Sequence, residues 1–118
     1  MRIAVDYDDT IYFGGDVLKK ALKILNKLEE KGHEIIIFTG RTEPVSDKLL
    51  KFTIVQNVSS TYGREWKVKS YRDYKFDMII DDDPSVLKIT DIPIKIMINN
   101  SKDWDGLEKL FFGDDKNE

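Results

Sequence analysis

Short apolar runs that stop at polar residues constrain this chain most. "IAV" at 3–5 meets Asp6, "IIIF" at 35–38 meets Thr39, and "MII" at 78–80 meets Asp81. Runs this continuous have no polar face. They read as strands buried on both sides, the condition of a parallel sheet covered by helices. Two further strands are predicted around 53–58 and 92–98.

The intervals between these runs change period. Val17, Leu18, Ala21, Leu22, Leu25 and Leu28 recur at helical spacing, and Lys19, Lys20, Lys23, Lys27, Glu29 and Glu30 fill the other face. The Gly14–Gly15 turn predicts Asp16 as the N-cap, and Gly32 ends the helix. Shorter helices are predicted over 45–52, 66–74, 84–87 and 104–112. Strand and helix therefore alternate, which predicts an α/β, three-layer Rossmann-like domain with a mainly parallel five-stranded sheet and right-handed crossovers. At 118 residues the chain suits one domain with a real core. That domain is expected over 1–113, with 114–118 as a polar tail.

Ligands of open parallel sheets sit beyond the carboxyl ends of the strands. Asp6, Thr39 and Asp81 should therefore share one edge. Asp6, Asp8 and Asp9 crowd the first strand end, and Asp81, Asp82 and Asp83 crowd another. Like charges so close repel each other unless a cation neutralises them. With no cysteine and a single histidine, oxygen ligands favour Mg²⁺ over zinc. Thr39 adds a hydroxyl, and Gly40 and Arg41 are expected to open onto a helix N-terminus that suits phosphate. Carboxylates, a hard cation, a hydroxyl and an anion nest together point to phosphoryl transfer. The net charge of −3 argues against broad electrostatic binding to nucleic acid. No apolar run approaches a membrane span. Strand-like sequence from Arg2 leaves no room for a signal peptide, so a cytoplasmic protein without a membrane partner is expected.

"DYDDT", Asp6 to Thr10, resembles the Asp-x-Asp-x-Thr motif of the haloacid dehalogenase-like (HAD) superfamily. "IIIFTGR" resembles its second motif and "MIIDDDP" its fourth, in the same order, over roughly Met1 to Asn100. The resemblance implies that Asp6 is a nucleophile that becomes an aspartyl phosphate. Asp8 is implied as general acid and then base, and Thr39 as donor to a phosphoryl oxygen. It implies Mg²⁺ held by Asp6, the backbone carbonyl of Asp8 and one of Asp81 and Asp82, with Asp82 favoured. The lone lysine of the third motif falls on Lys67, with Lys69 in reserve; Lys75 should lie at the far edge. Asp9 stands where glycine is often found.

Neither stretch that receives a cap domain in this superfamily is long enough here, so a cap-less phosphatase is expected. An open site suits a large phosphorylated substrate such as a nucleic acid end, or a small one if a second copy of the chain closes it. "IYFGG" would form a small flap, with Tyr12 and Phe13 available to stack on a substrate ring. Gly40, Arg41 and Tyr12 are thus candidate substrate-binding residues, although Arg41 can equally pair with a nearby carboxylate. Simpler readings stand beside these: Asp83, Asp91 and Asp114 as turn or cap residues, His33 as a surface residue, and Trp66 and Trp104 as packing. Two rival functions are a phospho-receiver signalling module and a catalytically silent HAD-like binding protein.

Overall fold

The computed structural model describes residues 1–41, 43–56 and 70–113. Strand β1 (Arg2–Asp6) is central, flanked by β4 (Glu34–Thr39) and β6 (Met78–Asp81), with β5 (Thr53–Gln56) and β7 (Ile94–Met97) at the edges. The order β5-β4-β1-β6-β7 is parallel throughout. A separate two-stranded hairpin, β2 (Tyr12–Phe13) and β3 (Asp16–Val17), follows β1. Helix α1 (Lys19–Glu30) precedes β4, and residues 70–74 (α2) are helical ahead of β6. Helices α3 (Pro84–Ile89) and α4 (Asp103–Phe112) flank β7 in sequence. No cap domain interrupts the described residues.

Alternation along the strands sorts their side chains into two cores. Ile3, Val5, Ile35, Ile37 and Ile80 pack with Leu25 of α1 and Trp104 of α4. Ala4, Ile36, Phe38 and Ile79 pack on the opposite face with Tyr71 of α2 and Val86 of α3. The sheet is therefore the middle of three layers, and that is why its central strands read as unbroken apolar runs. Lys20 reaches Glu108 at 2.9 Å and so ties α1 to α4 at the surface, a contact of the kind that contributes little.

Several elements differ from expectation. Asp16 does not cap α1; it pairs in the hairpin, and its carboxylate accepts from Val17 N and Lys48 Nζ. The cap position is Leu18, with no side-chain cap bond. The helix expected over 45–52 reduces to a 3₁₀ turn at Asp47–Leu49, capped by Ser46. Gly40 and Arg41 consequently do not open onto a helix N-terminus. The strand expected over 92–98 narrows to Ile94–Met97. Lys67, Lys69 and Trp66, and the tail at 114–118, lie outside the described residues.

Candidate functional site

The chain runs outward in sequence from β1 to β5 on one side and from β6 to β7 on the other. The strand order therefore switches between β1 and β6, where open α/β sheets form their ligand crevice. Asp6 ends β1 and Asp81 ends β6. Both are buried, at 6% and 0% exposure. With half-buried Asp82 they form a cluster that offers one carboxylate oxygen each, all within 4.8 Å of one another. Three hard oxygen donors at that spacing suit Mg²⁺, so the residues present fit the ion.

The turn after β1 explains how this is held. The N–H groups of Thr10, Ile11 and Tyr12 all donate to the carbonyl of Tyr7, at 3.4, 3.1 and 3.0 Å. This coils 7–12 into one tight turn, with Asp9 at φ 58°, a conformation aspartate tolerates better than most residues. The turn swings Thr10 inward until it is fully buried. Its hydroxyl lies 3.0 Å from Asp6 Oδ2 and 3.3 Å from Asp82 Oδ1, bridging two members of the cluster. Trp104 Nε1 of α4 donates to the carbonyl of Thr10 at 2.7 Å and props the turn from beneath.

Asp8 is not one of the three clustered carboxylates. Its carboxylate accepts from Thr39 Oγ1 at 3.3 Å and pairs with Arg41 at 3.0 Å. The Arg41 guanidinium lies over the rings of Tyr12 and Tyr7, 4.8 and 5.3 Å from their centroids. Those rings stack on each other at 4.8 Å. Burial opposes the Arg41 charge, but Asp8 foremost, then Tyr12 and Glu43, outweigh it and raise its pKa. Arg41 N donates to Thr39 Oγ1, and Gln56 Nε2 donates to the carbonyls of Arg41 and Glu43, so the end of β5 pins this loop. Burial also raises the Tyr7 pKa, against the Ser46 N–H and Arg41, which lower it.

A second tyrosine sits under the cluster. Tyr71 of α2 is 2% exposed, and its hydroxyl lies near Asp81, whose hydrogen bond is among the causes of its raised pKa. Burial first, then the Asp81 and Asp6 charges, push its pKa well above the ordinary value.

The residues expected at one edge do come together there: Asp6, Asp8, Thr39, Arg41, Tyr12, Asp81 and Asp82, with Gly40 in the loop between. The Tyr12 ring stacks on Tyr7 and lies against the Arg41 guanidinium. Arg41 takes the carboxylate-pairing role of its two readings. Asp83 caps α3 by accepting from Ser85 N. His33 is half-buried at the opposite end and contacts the N-terminal ammonium. Thr10, Tyr7, Tyr71 and Trp104 carry contacts that motif reading assigned to none of them. Thr10 was within reach as the closing residue of "DYDDT"; Trp104 was expected only as packing, and no sequence pattern singled out the two tyrosines.

The fold and this edge define the chain as a parallel, Rossmann-like α/β domain with an acidic cluster at its switch point. No protein-family model, curated protein or solved structure matches it.

Proposed function

We propose that this chain is a Mg²⁺-dependent, HAD-like phosphatase that hydrolyses a phosphate monoester through an aspartyl phosphate on Asp6. The observation that carries the reading is the division of labour between two aspartates two residues apart. Asp6 lies in the cation-binding cluster, while Asp8 is turned onto Thr39 and Arg41. In the first step an Asp6 oxygen attacks phosphorus, the ester P–O bond breaks, and Asp8 gives its proton to the departing oxygen. In the second, Asp8 takes a proton from water, the water oxygen attacks phosphorus, and Asp6 leaves as a carboxylate. Splitting one displacement into two is the usual gain of a covalent nucleophile. Asp6, Asp81 and Asp82 would hold Mg²⁺, which would neutralise charge on the phosphoryl group. The Thr39 hydroxyl donates to Asp8 and accepts from the Arg41 amide; on this reading it turns from Asp8 to donate to a phosphoryl oxygen when substrate binds.

Strand order favours this reading over a phospho-receiver. Numbered by sequence within the sheet, the order is 3-2-1-4-5, whereas receivers share the flavodoxin-like order 2-1-3-4-5. A silent binding protein is separated by experiment. Hydrolysis of p-nitrophenyl phosphate and of an alkyl phosphate should both vanish in Asp6→Asn. Asp8→Asn should lose about 10²–10⁴-fold on the alkyl ester, the usual worth of a general acid, and much less in the first step with p-nitrophenolate, which leaves without a proton. The same variant should accumulate phosphoenzyme on Asp6, read by rapid quench and mass spectrometry. Equal losses on both esters with no phosphoenzyme would remove Asp8 from its role. Turnover by Asp6→Asn would end the covalent mechanism.

A further inference from the structure

We propose that Tyr71 is a positioning residue of the acidic cluster: its buried hydroxyl donates to the Asp81 carboxylate and orients that group toward the cation. The inference rests on the Mg²⁺ reading above and adds to it a residue from the helix layer.

Strand alternation puts the partners on one face. Ala4 of β1 and Ile79 of β6 belong to the core that Tyr71 of α2 joins. Asp6 and Asp81 stand two positions further along the same strands, so they continue those two rows to the edge of the sheet. Phe38 of β4, registered opposite Asp6, lies on that face as well. The Tyr71 ring meets Phe38 edge to face, with centroids 4.9 Å apart, and meets Phe76 in the same way at 5.8 Å. These contacts wedge the ring beneath the two carboxylates. Its hydroxyl oxygen is shut off from water. Asp81 and Asp6 both act on that hydroxyl through their charges, and Asp81 is its hydrogen-bonding neighbour.

The arrangement divides the lone pairs of Asp81. A carboxylate offers about four acceptor sites, and Asp81 is fully buried. The Asp83 amide takes one, at 3.0 Å on Oδ1. A phenol fixed by its packing takes another from the core side, so the carboxylate cannot turn about its axis without losing a bond. The sites left over face the cluster. Thr10 does the same for Asp6 and Asp82 from the turn after β1. Donors that orient a metal ligand from behind are usually worth about 10–100-fold in metal affinity.

The test is a calorimetric Mg²⁺ titration of the whole chain, first stripped with chelator, as wild type, Tyr71→Phe and Phe76→Leu. Tyr71→Phe keeps the ring and loses the hydroxyl. Phe76→Leu loosens the packing of that ring and keeps the hydroxyl. Tyr71→Phe should raise the Mg²⁺ dissociation constant about 10–100-fold. Phe76→Leu should lower the Tm in chelator and leave the dissociation constant within about twofold of the wild type, a split that a merely structural tyrosine would not produce. Equal dissociation constants for the wild type and Tyr71→Phe overturn the proposal and leave the Mg²⁺ reading standing. A rise as large in Phe76→Leu overturns it too, because packing alone then accounts for the effect. A wild type that binds no Mg²⁺ overturns it together with the reading it rests on. Should Tyr71→Phe fail to fold, NMR of the wild type with isotope-labelled tyrosine decides. The Cζ signal of Tyr71, which reports on the hydroxyl's bond, should move as Mg²⁺ is added; a signal that stays in place overturns the proposal.

Discussion

At the scale of single residues, Arg41 separates two mechanisms that the sequence leaves equal. A substrate clamp would hold its guanidinium free for phosphate. Here it is spread over two stacked tyrosines and paired with Asp8. A planar fork both stacks and fixes the direction of a carboxyl group; a lysine ammonium does neither well. Arg41→Lys keeps the charge and loses the plane. It should lower kcat on an alkyl phosphate by about tenfold or more, a fraction of what a general acid supplies, with KM little changed. A raised KM with kcat intact would mean that Arg41 binds ground state and transition state alike, which is the clamp. Circular dichroism of the variant checks that the fold is retained.

At the scale of elements, β1, β4 and β6 were legible because burial on both faces leaves no polar position to interrupt the run. The hairpin was not. Val17 and Leu18 fit the helical period of α1, so the pattern pulled the helix start back to Asp16, although the backbone there is still extended. Short strands of two residues carry no period of their own, and only Gly14 and Gly15, both at positive φ, marked the turn. The helix expected over 45–52 failed because its apolar spacing is satisfied by burying Leu49 and Phe52, with Val45 partly buried against the same core. In the site, acidic residues at strand ends were legible from strand polarity. The support of α4 was not, since a tryptophan indole reaching a carbonyl 94 positions away leaves no sequence pattern. Trp104→Phe tests that support. It keeps an apolar ring and removes the one N–H, leaving the Thr10 carbonyl short of a donor in a buried turn. An unmet buried group costs about 1–3 kcal/mol, to be read from the urea midpoint. Because Thr10 bridges Asp6 and Asp82, activity at limiting Mg²⁺ should fall further than activity at saturation. A variant equal to the wild type in both would show that α4 packs on the turn without holding it.

At the scale of the whole molecule, the sheet sets its two halves against each other through their charges. One half brings Asp6 to the switch point and the other brings Asp81 and Asp82, joined across it by the Thr10 hydroxyl. Without a cation, closing the domain forces these carboxylates together, and their repulsion opposes folding. A cation that binds only the folded state reverses the balance, by about 2.7 kcal/mol at a hundred times its dissociation constant. For a domain of this size that is roughly 10 °C in Tm. Asp82→Asn should cross over this behaviour. In chelator it should be at least as stable as the wild type, because one charge has left the cluster while the amide oxygen still accepts from Thr10. In excess Mg²⁺ it should gain little and fall below the wild type. Thermal melts of both proteins, with and without Mg²⁺, give the four values needed. Parallel shifts in the two proteins, or no shift in the wild type, would mean that the cluster is not a Mg²⁺ site. The aspartates would then need a different reason to converge at the one place where the strand order reverses.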